Sequence, residues 1–471
     1  MFERAIDKYY LNGLCIVLLG YALFNRGFAY LGVPPLFIGE ILLVAGLCLW
    51  LSCSYITPLC AMASPWVLLL TMGWVALRTF PYLREYKFDA IRDSMIVAYG
   101  VFAFLIFGML IAKPSRLLFL LCRYRQFCYV YLILMPIIRL LVTLAGGEEN
   151  LPRHPGTVVS IICVRQGPMM VHLAGITAFL AAQRASWGWF GLVALNFLLA
   201  ISNRGGFLAF FTACSLLVLI RPGNGGVWKF AAYILFGLVV LGVTGFEVEI
   251  DTAGAIKQNR KLSFVGLTEQ VTSITGSTKQ SNFDDTKKWR LEWWGKILDY
   301  TFNGKYFLAG KGFGVNLADE DGFQTEHESE DKAPNRSPHN SHLTILARGG
   351  VPAFVLWGLF QFTWGLGVLG QYCVASRRND APWASLFLFL LALWVANIVE
   401  TTFDVYLESP MGGIWFWTLI GVGWAANLIY RYHPELLLRQ NRPPESVARV
   451  VAAAGPSSPV RPDTCRRLYG P

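Results

Sequence analysis

The chain has 471 residues, of which 55% are hydrophobic, 14% aromatic and only 15% charged, whereas a soluble domain carries about 25% charged residues. That composition excludes a wholly soluble enzyme and reads as an integral membrane protein. The net charge of +10 is scattered over short loops and the tail, so no basic stripe of the kind that binds nucleic acid is present.

Crossing a bilayer takes about 20 apolar residues, and such runs recur at 9–31, 33–53, 58–77, 91–112, 117–122 with 126–145, 166–183, 188–202, 205–221, 227–245, 343–370, 384–399 and 411–430. They predict an all-α, polytopic protein of about twelve transmembrane helices, because in lipid every backbone polar group must pair within its own segment. The organisation expected is nine spans over 1–245, a large outer loop over 246–341, three spans over 342–432 and a disordered tail over 433–471. The tail is rich in Pro, Arg, Ala and Ser, a composition that buries no core.

With the N-terminus inside, the basic loop residues Lys113, Arg116, Arg123, Arg125, Arg184, Arg221, Lys229, Arg377 and Arg378 fall on the cytoplasmic side, as the positive-inside rule requires. The connection holding Glu400, Asp404 and Glu408 falls outside, and so does the long loop. One outer link disagrees: Arg78, Arg84, Lys87 and Arg92 crowd between the third and fourth spans. The ten cysteines lie almost entirely in apolar runs, none in the long loop and none as C-x-x-C, which supports neither a zinc site nor an exported disulfide.

Within the outer loop, Lys287 to Leu298 places Trp289, Trp293 and Ile297 on one helical face, and Arg290 with Trp294 on another. This predicts an amphipathic helix lying on the membrane surface, tryptophans toward the headgroups. Gly310-Lys311-Gly312-Phe313-Gly314 permits tight turns and close backbone approach. The acidic run from Asp319 to Asp331 reads as a solvated loop, with gating or cation binding as the alternative.

Charge near membrane depth is costly and tends to mark function. Arg204 sits in a short hairpin, Ser202-Asn203-Arg204-Gly205-Gly206, and Arg165 at the start of another span. Snorkelling to headgroups is the bland reading of both. Glu40, Arg139 and Arg348 are expected to pair within the bundle or snorkel. Of the histidines, His154, His327 and His433 read as loop residues and His172 as a helix contact. His339, in Ser337-Pro338-His339-Asn340-Ser341-His342 where the chain re-enters the membrane, can take a proton from a hydroxyl, with Asn340 orienting it or holding substrate. A zinc site on His339 and His342 lacks further ligands.

An Arg-Gly hairpin, a long outer loop with an Arg/Trp helix and a G-x-G-x-G turn, and then His-Asn before the next span together resemble the O-antigen ligase and O-antigen polymerase superfamily over roughly 160–425. The chain departs from that pattern at Asn203, where relatives often show Ser, and at Val171-His172, where they show Pro-Asn. The resemblance implies a metal-independent glycosyltransferase, needing no cofactor, at the outer face of a bacterial cytoplasmic membrane. It would move a glycan from a polyprenyl diphosphate carrier to a sugar or lipid-sugar acceptor. On that reading Arg204 and Arg290, with Arg165 in support, hold the diphosphate, since arginine forks bind it bidentately. His339 is the base or the orienting group for the acceptor with Asn340 its helper, and Asn340, Trp293, Trp294 and Gly312 line the substrate site. Transfer to a protein acceptor is an alternative within the family. A transporter or flippase of a lipid-linked or anionic substrate is the alternative of another class, but transporters show inverted repeats and broken helices, and the sequence gives no sign of either.

Overall fold

The computed structural model describes residues 5–34, 36–51, 61–201, 203–221, 225–244, 248–251, 259–262, 281–324 and 335–438. His327, most of the acidic run and the tail beyond 438 lie outside the described residues. The principal helices are α1 (Ala5–Phe24), α2 (Ile38–Leu51), α3 (Ala63–Thr79), α4 (Phe88–Ala98), α5 (Val101–Ala112), α6 (Ser115–Leu144), α7 (Gln166–Ala182), α8 (Trp187–Ala200), α9 (Arg204–Ile220), α10 (Gly225–Thr244), α11 (Ser281–Phe302), α12 (Ser341–Arg377), α13 (Ala381–Phe403) and α14 (Pro410–Tyr432). Among the described residues strands are confined to two small antiparallel pairs, Gly32–Val33 with Leu36–Phe37 and Val248–Asp251 with Asn259–Leu262.

Each apolar run read from the sequence falls on a helix. Among the described residues five helices are long and apolar enough to cross a membrane, or six if the bent pair α4–α5 is one span. One core of apolar side chains runs through the bundle, with α13 and α14 buried along much of their length.

A break in α12 decides how the insert sits. Pro352 has no N–H to give the Arg348 carbonyl four residues earlier, and Gly350 adopts φ 74°, ψ −176°, so the helix opens there. Every backbone group freed at membrane depth needs another partner, and the insert supplies them. Lys311 N donates to Ala347 O at 2.7 Å, Gly312 N to Arg348 O at 3.0 Å, and Val351 N to Phe307 O at 2.8 Å. From α3, Trp74 Nε1 reaches Gly349 O at 2.8 Å.

The apolar pattern carries no mark of this broken helix, whose opened groups are met by the backbone of the insert and by the Trp74 indole. Gly310 must be glycine, because a Cβ there would lie 2.4 Å from the Arg348 backbone. At Gly312, with φ 93°, a Cβ would strike the Tyr82 ring at 2.1 Å. The G-x-G-x-G turn is thus a strap across the opened helix.

A buried charge network clamps the same junction. Arg348 Nη1 lies 2.9 Å from Asp93 Oδ2, both side chains nearly inaccessible. Asp93 also accepts from Gly314 N at 3.1 Å and from Arg336 at 3.2 Å. Arg78 donates to the Ala309 carbonyl at 2.8 Å, so the basic 78–92 link belongs to the same end of the bundle as the insert.

The tryptophan face of α11 corrects the surface-helix expectation. Trp293 and Ile297, both 0% exposed, pack with Leu317, Ala318, Leu346 and Ala347 into a second small core. Trp293 stacks on Phe323 at 5.3 Å and donates to Asp321 Oδ2 at 2.7 Å. Full burial of side chains this large is worth about 1.5–3 kcal/mol each, which seats them on protein instead of headgroups. Replacing Asp93 with Ala should strand the Arg348 guanidinium and cost about 3 kcal/mol. A melting temperature equal to wild type in detergent-purified D93A would show that the network does not hold the insert down.

Candidate functional site

The site is built at the end of the bundle where α7 and α9 begin, α12 begins and α13 ends. Arg165 is the extended residue immediately before α7, with φ −102° and ψ 121°, and its side chain is exposed. The residue before it is pinned, because Val164 N donates to Glu148 Oε1 at 2.5 Å. Burial raises the pKa of the Glu148 carboxyl, while that bond and the charges of Arg165 and Arg139 oppose the rise.

Arg204 opens α9. The Asn203 side chain caps this helix by accepting from Gly206 N at 2.7 Å, so the departure from Ser keeps a residue type suited to the cap. Gly205 lets α9 lie against the end of α13, where a Cβ would come within 2.7 Å of Phe403 Cβ. Gly206 packs on Gly167 of α7.

Arg290 comes from the insert and is tied to the same place. Its Nη1 donates to the Phe403 carbonyl at 3.0 Å. Burial lowers the pKa of the Arg290 guanidinium, and the charges of Asp404 and Glu400 resist that fall.

His339 stands in the left-handed region with φ 51°, a conformation uncommon for a residue with a Cβ. Its neighbours hold it there. Trp294 Nε1 donates to the Pro338 carbonyl at 2.8 Å, and Asn340 Oδ1 caps α12 by accepting from Leu343 N at 3.0 Å. His339 Nδ1 lies 3.8 Å from Asp404 Oδ1, an ion-pair separation that is longer than a hydrogen bond.

Asp404 itself is fixed by its backbone. Its Oδ1 accepts from Val405 N at 2.8 Å, and its carbonyl accepts from Ser341 Oγ at 3.3 Å. Burial would raise the Asp404 pKa, but the His339 imidazole and then Arg165 outweigh it and hold the group at about 2. A depressed carboxyl contributes stability that is complete above its ordinary value of 3.8 and is lost only as pH falls toward about 2. Asp404 is therefore ionised throughout the neutral range.

The structure thus gathers Arg165, Arg204, Arg290 and His339 around the last turn of α13. The other expected site residues have different work. Asn340, 4% exposed, spends its side-chain oxygen on the helix cap. Trp293 is fully inside the second core, Trp294 holds the His339 backbone, and Gly312 belongs to the strap.

The Trp289 ring lies 6.3 Å from the imidazole. His342 is occupied at both ring nitrogens, by Trp357 Nε1 at 2.9 Å and the Ile398 carbonyl at 3.3 Å. His172 packs among Phe127, Tyr131 and Trp415. His154 meets the Gly27 carbonyl at 2.7 Å. Glu40 accepts from Tyr99 at 2.7 Å, a pairing within the bundle as expected.

In the sequence Asp404 is only a charge in an acidic connection, and its pairing with His339 emerges from the fold. Glu400 was passed over in the same way. A carboxylate directly after the apolar run 384–399, followed four residues later by a second, is the signal for both.

No curated protein matches the chain. Residues 189–358 match the model of the O-antigen ligase family, Wzy_C. The matched stretch contains Arg204, Arg290 and His339, and leaves Arg165 and Asp404 to the flanking helices. Over that stretch the chain is similar to the O-antigen ligase family.

Proposed function

We propose that this multi-pass membrane protein is a glycosyltransferase that takes a glycan from a polyprenyl diphosphate carrier and passes it to a sugar hydroxyl, on the exported face of a bacterial cytoplasmic membrane. The observation that carries the reading is the meeting of an imidazole–carboxylate pair, His339 with Asp404, with three arginines at one end of the bundle. Each partner suits one half of the reaction.

The acceptor oxygen attacks the anomeric carbon as the bond from that carbon to the diphosphate oxygen breaks. The acceptor proton passes to His339, and the ionised Asp404 steadies the imidazolium that results. The carrier diphosphate leaves with the bonding electrons. Arg204 and Arg290, with Arg165 in support, receive the charge that develops on it. Arg290 comes from the insert and Arg204 from the bundle, so the leaving group is held across the seam between them. Trp294 and Asn340 serve the reaction indirectly, by fixing the left-handed backbone that aims the imidazole.

Arg204→Ala and Arg290→Ala should each slow transfer by about 100-fold or more, as loss of a charge-stabilising donor does, with protein abundance kept. Lysine at either position should recover little, because an ammonium cannot reproduce the bidentate fork. Wild-type release of carrier diphosphate from both lysine variants, in reconstituted vesicles given a polyprenyl-diphosphate glycan and sugar acceptors, would sink the assignment.

Asp404→Asn and His339→Ala should both lower turnover, the latter by about 10²–10⁴-fold. Surface polysaccharide should be lost in producing cells while lipid-linked precursor collects on the exported leaflet. Precursor held on the inner leaflet would instead point to a transport role.

A further inference from the structure

One hydroxyl close to the base has more partners than protons. Thr344, 1% exposed in the first turn of α12, places its Oγ1 3.0 Å from the Asn340 carbonyl and 2.8 Å from Glu408 Oε1. A threonine hydroxyl carries a single proton. Were both neighbours pure acceptors, only one could be served, and the other would face a lone pair at hydrogen-bonding distance. Both contacts are made at once when Glu408 is the neutral acid. Its O–H then donates to Thr344 Oγ1, and the threonine proton goes on to the Asn340 carbonyl.

The surroundings of Glu408 favour that form. It lies partly buried in the connection 404–409 between α13 and α14. Burial raises the pKa of its carboxyl and Asp93 adds to the rise, while the Arg348 charge and the hydroxyls of Thr344 and Ser337 oppose it without cancelling it. Arg348 spends Nη1 on Asp93 at 2.9 Å and on the Val315 carbonyl at 2.8 Å, and among the described residues no ion pair joins it to Glu408.

The grip falls on both sides of the base. Ser337, 4% exposed, meets the same carboxyl, so Glu408 holds the chain before and after His339 and Asn340, where the left-handed backbone aims the imidazole. We propose that Glu408 is a positioning residue acting as the neutral acid, which closes a hydrogen-bond chain through the Thr344 hydroxyl to the Asn340 carbonyl and fixes the turn that presents His339. Resting on the proposed function, this gives the α13–α14 connection a second task beside supplying Asp404. An ionised Glu408 would take the threonine proton for itself, and the chain to Asn340 would open.

The proton can be read directly, by infrared difference spectroscopy of full-length protein in lipid nanodiscs at neutral pH, wild type against Glu408→Gln. A protonated-carboxyl band in the wild type that the variant lacks is the expected result. No such band overturns the chain and leaves the proposed function standing.

Turnover with a polyprenyl-diphosphate glycan and sugar acceptors tests the positioning. Glutamine offers an N–H to Thr344 and a carbonyl to Ser337, so Glu408→Gln should recover the transfer that Glu408→Leu loses. Thr344→Val keeps the shape of the side chain and removes its hydroxyl. It should lower kcat by about tenfold or more with the donor KM unchanged, as loss of alignment does, and Thr344→Ser should restore the rate. Equal losses in the valine and serine variants make the position one of packing and overturn the positioning role, as does wild-type kcat in Thr344→Val. A wild-type protein that shows the band but releases no carrier diphosphate overturns the proposed function, and the positioning role with it.

Discussion

The missing N–H of Pro352 governs the arrangement of everything around it. Once α12 opens at Gly350, the carbonyls of Ala347, Arg348 and Gly349 and the N–H of Val351 must be satisfied away from water. Residues 307–312 are the strap that does so, and Trp74 completes it. A neutral hydrogen bond contributes about 1 kcal/mol when made, but leaving a buried group unpaired costs about 1–3 kcal/mol. The strap and the break therefore stand or fall together. Because the strap is continuous with the loop following α11, seating it also seats α11 on Leu346 and Ala347 and carries Arg290 to the end of α13.

Precision at the site comes from rigid surroundings more than from the reactive groups themselves. His339 is held in an unfavourable backbone region by bonds on both sides, Trp294 to the residue before it and the Asn340 cap after it. Such strain persists only where neighbours over-determine it. Asp404 is likewise locked through Val405 and Ser341. The two meet at 3.8 Å, each side chain about one-third exposed.

The sequence was most legible where one physical rule acts alone. Long apolar runs mark helices, but among the described residues only five of those helices, or six with the bent pair, are long and apolar enough to cross a membrane, against the twelve spans expected. Arg204, Arg290 and His339 draw notice in the sequence because charge and imidazole beside long apolar runs need a reason. What stayed hidden depends on contacts between distant segments. Trp293 and Trp289 share a helical face, and periodicity cannot say that Phe323 covers the first while the second lies beside His339. Gly312 and Gly314 had the signature of close backbone approach, but a strap on α12 and a substrate loop require the same glycines. Asp404 was hidden because a carboxylate in an acidic connection looks like topology until the fold places it against an imidazole.

The basic link at 78–92 shows the same limit from the side of charge. Counting cations in loops treats each as exposed and free to set orientation, and on that count Arg78, Arg84, Lys87 and Arg92 oppose the rest of the chain. Two of them are engaged locally. Arg78 is bonded to the Ala309 carbonyl, and Arg92 pairs with Asp89 and Asp93 at 3.0 and 3.1 Å. Asp93 in turn joins Arg348, Arg336 and Gly314 N. These contacts require the link and the insert to share one end of the bundle, since both ends of each bond must be present together. An arginine that satisfies a carbonyl or an acid within a folded cap contributes less to orientation than one free in a loop, so the apparent exception to the charge rule is a mark of where the insert docks.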